Sequence, residues 1–314
     1  MTGYIIRRIG QSVVVLLLVT MVMFLMFHML PGNPARAELG VKAQPAAVAA
    51  FDKLNGFDRP VWYQFWIYLD HLAHGNLGFS YLQNASVAQL FLQRFPKSVL
   101  LLSLATLVAI TVAVPLGVLQ AVRRNKIDDY VLTGTSFVLY SFPTFWLGII
   151  LIEIFAISLH VLPPSAPSGT SLGAILSDWQ GLVLPVATLA LVSIASYSRY
   201  MRSAMIDSLA QDYIRTARAK GLSERLVLLR HALRNSLIPM ATLIGLSVPG
   251  VLGGAVITED VFNYPGVGLL FIQSATSEDF SVLLGLTLVA AVGVIVGNLV
   301  ADIGYAVLDP RIRY

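Results

Sequence analysis

The sequence predicts an all-α polytopic membrane protein with six membrane-crossing helices and both termini cytoplasmic. Three observations carry this: the composition, six long uncharged apolar runs, and the uneven distribution of positive charge between them. Of the 314 residues, 56% are hydrophobic and only 12% are charged. An ordinary soluble domain carries about 25% charged residues, so a globule of this size would lack the charge to cover its surface. There is no cysteine, which excludes a disulfide scaffold, thiolate metal sites and thiol nucleophiles. The net charge of +4 is modest and mostly flanks apolar runs, which makes nucleic acid a poor partner.

The uncharged runs are residues 9–35, 98–122, 130–152, 179–198, 235–258 and 280–301. Each can supply the ~20 helical residues that cross ~30 Å of hydrocarbon. The first ends near Leu30, where Pro31-Gly32-Asn33-Pro34 begins a turn. Arg7 and Arg8 ahead of it resemble the basic end of a signal peptide. The long apolar core, the poor cleavage site and the five later spans instead predict a retained anchor. The third run is expected to continue past Glu153 to about Leu159. Residues 261–277 are also uncharged, but Asn263, Pro265, Gly266 and Gly268 interrupt them, predicting a loop or a partly re-entrant hairpin.

Charge sets the orientation. The segments before residue 9, at 123–126, at 199–234 and after 301 hold 15 Lys and Arg, against six in the opposite loops. The short outer loops have none and carry Asp178, Glu259, Asp260, Glu278 and Asp279. Positive charge resists translocation, so both termini are predicted to be cytoplasmic.

The chain thus divides into residues 1–30, the N-terminus and first membrane helix; 31–97, an extracytoplasmic segment; and 98–314, a five-helix core. The core contains a cytoplasmic loop at 207–235 and an external loop at 259–279. Within the outer segment, 45–54 and 59–72 read as short helices, Pro60 suiting the first turn of the second. Trp62, Phe65, Trp66 and Leu69 give that helix an apolar face, readable as a substrate entrance or as interfacial anchors. Gly75, Gly78 and Ser80 break the pattern, and 87–95 resumes it. Residues 162–178, rich in Pro, Gly and Ser, predict an irregular connection. No GxxxxGK[ST] occurs, so energy for any driven transport must come from an ion gradient or a separate ATPase.

The cytoplasmic segment 212–239, DYIRTARAKGLSERLVLLRHALRNSLIP, is the most informative stretch. Asp212 caps or begins a helix that Gly221 is placed to end. Ser223 is a candidate cap for the next, with Glu224 in its first turn facing the amide dipoles. Leu222, Leu226, Leu229 and Leu233 make a stripe at i, i+4, i+7 and i+11, with Arg225, Arg230 and Arg234 around it. Such a helix lies on anionic lipid or docks another protein. Ala217, Ala219 and Gly221 permit the close backbone approach that docking uses.

At these residues the chain resembles the inner-membrane permease subunits of binding-protein-dependent ABC importers, specifically the first permease of dipeptide and oligopeptide systems. The family's cytoplasmic loop reads EAA, three residues, then Gly. Here Arg215-Thr216-Ala217 precedes Gly221, so Ala217 and Gly221 match, while Arg215 and Thr216 depart. Leu233-Arg234 likewise replaces the family's usual Leu-Pro ending. The peptide branch carries YxRTARAKGL…HALRNxLIP, found at 213–222 and 231–239. YIIRRI at 4–9, LPGNP at 30–34, GNLGFSY at 75–81, TEDVFNYPGVG at 258–268 and DPRIRY at 309–314 resemble its other signatures, in order across nearly the whole chain.

The resemblance implies a type I importer permease in a bacterial or archaeal inner membrane. It would pair with a second homologous permease, two ATPase subunits or domains and an extracytoplasmic substrate-binding protein, and carry peptides. ATP and Mg2+ would bind the ATPases; this chain would hold no cofactor or metal and catalyse nothing. Arg215, Thr216, Ala217, Gly221, Leu222, Glu224, Arg225, Leu226 and Leu229 would form the ATPase-coupling element.

Other residues have two readings. Glu153 within a span suits a transport or a pairing role, and His28 lies near the outer interface without neighbours at metal-ligand spacing. Pro115 and Pro143 predict kinks. Gly245, Pro249, Gly250, Gly253 and Gly254 allow close packing or a gate in the fifth span. Glu259, Asp260, Phe262, Pro265 and Gly266 are candidates for external contact. An ion-coupled transporter is disfavoured by scarce intramembrane charge. A membrane enzyme is disfavoured because neither HExxH nor GxSxG occurs. Dipeptides, longer peptides, nickel complexes and opine-like molecules all remain open as substrates.

Overall fold

A computed structural model describes residues 2–29, 34–40, 43–247 and 255–308. Its elements are overwhelmingly helical, one of the two ways, with closed barrels, to pair every backbone amide where lipid offers no partner. In order they are α1 (Thr2–Met29), α2 (Pro34–Leu39), α3 (Pro45–Asn55), α4 (Val61–Ala73), β1 (Phe79–Ser80), β2 (Ala85–Ser86), α5 (Val87–Val122), α6 (Ile127–Ser141) and α7 (Thr144–Leu151). There follow α8 (Leu172–Ser177), α9 (Trp179–Leu209), α10 (Asp212–Ala219), α11 (Glu224–Leu226), α12 (Leu233–Ser247), α13 (Val256–Val261), α14 (Val267–Thr276) and α15 (Phe280–Leu308). Two π-helical stretches, Ile152–Ser158 and Val227–Ala232, extend α7 and α11.

Among the described residues three helices are long and apolar enough to cross a membrane: Val87–Val122, Trp179–Leu209 and Phe280–Leu299. The α6–α7 pair, with its π-helical extension, qualifies as a fourth, broken span bent by 103°. The sequence predicts only a kink at Pro143. Proline forces its predecessor out of the helical region, and Phe142 is extended at φ −74 and ψ 132, so the helix stops and restarts. Within α1 the described apolar stretch is Gly10–Met26. The expected fifth span, 235–258, lies partly outside the described residues. The second begins earlier than expected, because α5 absorbs 87–95 and runs unbroken through Pro96 and Pro115. Pro60 is the N-cap of α4 rather than its first turn. Residues 261–277, expected as a loop or a partly re-entrant hairpin, contain α14.

The chain forms two compact units. The first comprises Met1–Ser98, Pro249–Val256 and Pro265–Tyr314. In it α1 and α14 each pack against α15. The β1–β2 hairpin pairs Phe79 with Ser86 and Ser80 with Ala85. The buried Ser80 hydroxyl donates to Asp279 Oδ2, and Asp279 Oδ1 accepts from the Val282 amide at 3.2 Å, capping α15. Gly285 lets this hairpin approach: a Cβ there would lie 2.6 Å from Val87 Cγ1 and 3.0 Å from the Leu77 carbonyl. In α4, Phe65 and Tyr68 turn toward Phe24 of α1, leaving Trp62 and Trp66 exposed.

The second unit comprises Val99–Val248 and Ile257–Tyr264. Its hub is α9, against which α6, α7 and α12 pack. Ala190, Ile194, Tyr197, Met201 and Met205 of α9 join Ala109 and Ala113 of α5 in one buried cluster. Contact with α5 depends on Gly117, where a Cβ would sit 2.5 Å from Met201 Cβ and 2.7 Å from the Ser198 carbonyl. A second cluster gathers Leu101, Ile175, Leu184, Phe262 and Tyr264.

Candidate functional site

The segment 212–232 folds as a short helical hairpin between the end of α9 and the start of α12. Asp212 begins α10, with Gln211 as the capping residue. Gly221 adopts φ +76, and the helix closes by two bonds: the Gly221 amide to the Arg218 carbonyl at 2.9 Å and the Leu222 amide to the Ala217 carbonyl at 3.4 Å. This paired closure is the Schellman motif, which needs a left-handed residue and brings the following apolar side chain back onto the helix. Leu222 accordingly packs with Ala217 in the buried cluster. Ser223 precedes α11, but its side chain makes no capping bond.

Beyond Leu226 the helix widens to the π form over Val227–Ala232. The predicted stripe assumes 3.6 residues per turn. Burial instead falls on Val227 and Ala232, five residues apart, a spacing that suits i→i+5 geometry. As a result Leu226 and Leu229 are turned outward, 37% and 52% exposed, while Leu222 and Leu233 are half-buried.

The inward face, Ile214, Ala217, Val227 and Ala232, is fully committed to the core of α9 and α12. The outward face carries Arg215, Thr216, Arg218, Lys220, Glu224 and Arg225 beside those two leucines. Across the Gly221 turn the Arg218 guanidinium holds Glu224 with both arms, at 2.7 and 3.3 Å. Arg215 reaches Asp212 at 3.4 Å. The surface is therefore stiff, basic and partly apolar.

Two buried polar anchors fix it, neither apparent in the sequence. Ser208, near the end of α9, donates to the Ala232 carbonyl at 3.1 Å and lies 2.6 Å from the Tyr213 hydroxyl. Its one proton is used on Ala232, so Tyr213 must donate. Ser236 shares its one proton between the Ala232 and Ala204 carbonyls, at 2.9 and 3.1 Å. Farther back along α9, Arg202 grips Asp129 with both arms at 2.7 Å. Asp129, at the start of α6, also accepts from the Asn125 amide at 3.0 Å and the Thr133 hydroxyl at 3.3 Å. Chiefly through Arg202, its carboxyl is held down at about 2. Asp129 stands in the short connection RRNKIDD, ahead of the uncharged run that begins at residue 130, where sequence offers no sign of its distant partner.

The remaining candidates are dispersed. Pro249, Gly250, Gly253 and Gly254 lie outside the described residues. Of the external-contact set, Glu259, Phe262, Pro265 and Gly266 are buried, leaving Asp260 exposed beside Asn263. Glu153 sits exposed in the first π-helical stretch. His28 contacts the Phe24 carbonyl at 2.9 Å and Gln64 Oε1 at 2.8 Å. Among the described residues no three His, Asp or Glu side chains gather as metal ligands.

Comparison with known proteins shows the family of the chain. Residues 113–314 match the family described as binding-protein-dependent transport system inner membrane component. Residues 1–105 match the N-terminal part of such membrane components. The chain is 39% identical over 316 residues to the oligopeptide transport system permease protein AppB of Bacillus subtilis, covering all of both chains. It is 36% identical over 314 residues to the glutathione transport system permease protein GsiC of Escherichia coli O6:H1, again over both full lengths.

Proposed function

Because the chain belongs to the family of binding-protein-dependent transport system inner membrane components, we propose that it forms half of the translocation path of an ATP-driven importer for di- or oligopeptides. The observation that carries this is the 212–232 hairpin, packed rigidly on α9 and α12 while its opposite face is left basic and leucine-bearing. A partner ATPase would seat on Arg215, Thr216, Glu224, Arg225, Leu226 and Leu229, with Ala217, Gly221 and Leu222 holding the shape. Covering two half-exposed leucines contributes only about 1 kcal/mol each. The arginines must therefore supply further affinity and the register.

The hairpin's worth is mechanical. Closure of the ATPase pair moves a docked element, and the buried anchors at Ser208 and Ser236 pass that displacement to α9 and α12 with little loss. The permease itself is not a catalyst; ATP and Mg2+ belong to the ATPase partners. The complete assembly in this reading has a second homologous permease, two ATPase subunits or domains, and an extracytoplasmic substrate-binding protein. Six spans with both termini cytoplasmic put the hairpin on the ATPase side. Pro249, Gly250, Gly253 and Gly254 are then pathway or gate residues, and Asp260 an outer contact. Peptide as substrate class rests on the names of the relatives, one an oligopeptide and one a glutathione permease.

The test is purification of the tagged chain from its native membrane in mild detergent, followed by peptide uptake in proteoliposomes. Recovery of a second permease and ATPases, with uptake that requires ATP, supports the reading. Uptake driven by an ion gradient without ATPases contradicts it.

A further inference from the structure

A cavity of about 580 Å3 opens between α6 and α9, lined by none of the hairpin's residues. Arg199 lines it, its guanidinium carbon 4.6 Å from the Phe137 ring centroid and 5.4 Å from that of Tyr140. The next arginine along α9, Arg202, is neutralised by Asp129. Arg199 has no carboxylate within pairing distance among the described residues. The hydroxyls of Ser196 and Ser203, which also line the cavity, make no hydrogen bond there either. One pocket thus offers a guanidinium, an always-charged fork of five N–H donors, beside two free hydroxyls. Its complement is an oxyanion.

We propose that this pocket binds the phosphate of an anionic phospholipid, with Arg199 as its ligand. Three features favour lipid over a dissolved anion. Arg199 comes directly after the uncharged run 179–198, at the level where headgroups lie. Exposed Phe137, Tyr140 and Tyr200 frame the pocket, as aromatics do at an interface. On α6, Val131 and Val138 are 60% and 57% exposed and share one face, giving acyl chains a surface to cover. Basic pockets between membrane helices select anionic headgroups in this way. The site needs only membrane residence; cytoplasmic termini would make its leaflet the cytoplasmic one.

The experiment is native mass spectrometry of the intact complex after incubation with equimolar phosphatidylglycerol and phosphatidylcholine. Phosphatidylcholine offers the same phosphate, so the discrimination comes from its choline cation, which cancels the lipid's net charge: one arginine then predicts about fivefold preference for phosphatidylglycerol in the wild type. Arg199→Gln should abolish it, Arg199→Lys should retain part of it, and Arg124→Gln, an equal charge change at an exposed site, should leave it intact. The lysine variant keeps the test valid should the glutamine variant fold poorly. Equal retention in wild type and Arg199→Gln, or no headgroup preference, overturns the assignment. So does displacement of phosphatidylglycerol by a free peptide carboxylate but not by the amidated peptide, which would make the occupant the solute.

Discussion

The Ser208 hydroxyl lies 2.6 Å from the Tyr213 hydroxyl, joining the last turns of α9 to the first turn of α10. Since Ser208 also donates to the Ala232 carbonyl, one small side chain ties both arms of the 212–232 hairpin to the helix that precedes it. Tyr213→Phe should remove only the outer bond, costing about 0.5–1.5 kcal/mol. Ser208→Ala should remove both of its links, while Ser236 still satisfies Ala232. The expected outcome is normal insertion with fewer peptides moved per ATP hydrolysed, the serine variant more affected. The ratio of uptake to ATP hydrolysis in proteoliposomes measures it.

Gly221 is required by its backbone. A Cβ there meets nothing within 4 Å, yet φ is +76. Gly221→Ala should therefore cost about 1–2 kcal/mol through left-handed strain. Gly221→Asn should cost less, since asparagine tolerates that region, and Gly221→Val more. Capture of ATPases by the tagged permease should fall in the order Gly, Asn, Ala, Val. An order that followed side-chain volume alone, with Ala above Asn, would show that bulk decides.

Much of the hairpin is legible in the residues themselves. Gly221 between a helix-forming run and Leu222 announces the helix end, whereas Ala217, read as small to let a docking partner approach, is instead buried against α9. The register beyond Leu226 is not legible, because the π-helical widening over Val227–Ala232 has no local signature. That is why Leu226 and Leu229 face outward while Val227 and Ala232 turn inward. Asp129 and Arg202 are 73 residues apart, and no periodicity links them. Glu259 shows the opposite failure: read as a candidate for external contact, its side chain is buried.

The Asp129–Arg202 pair should be a major support of the α6–α9 contact. Leaving Arg202 without its partner by Asp129→Ala is expected to cost about 3 kcal/mol, discounted toward the low end because Arg202 is partly exposed. The Asp129 carboxyl is held below its ordinary 3.8, at about 2. Its contribution is thus complete above pH 4 and lost as pH falls from 4 toward 2. Wild-type thermal stability should show a component that disappears in this window and is absent from Asp129→Asn. Loss of the same component between pH 5 and 8 would contradict the assignment.

Close contact of α5 with α9 depends on Gly117. Gly117→Ala places a methyl against Met201 and the Ser198 carbonyl, at 2.5 and 2.7 Å before relaxation. Overpacking of this kind costs about 1–3 kcal/mol. A drop in unfolding temperature is expected, whereas Gly134→Ala, on α6 with nothing within 4 Å, should show none.

If the exposed face of the hairpin is the seat of an ATPase, a cross-link from that face should reach one. The chain has no cysteine, so one introduced at Leu229 is a unique chemical probe. Leu229→Cys, carrying a short bifunctional cross-linker in inverted membrane vesicles, should form an adduct with an ATPase subunit. Its yield should change when ATP is added with a hydrolysis-blocking analogue. A cysteine at Val131, exposed on α6, should give no such adduct. Failure of Leu229→Cys to reach an ATPase in vesicles that still import peptide would contradict an ATPase seat on the hairpin.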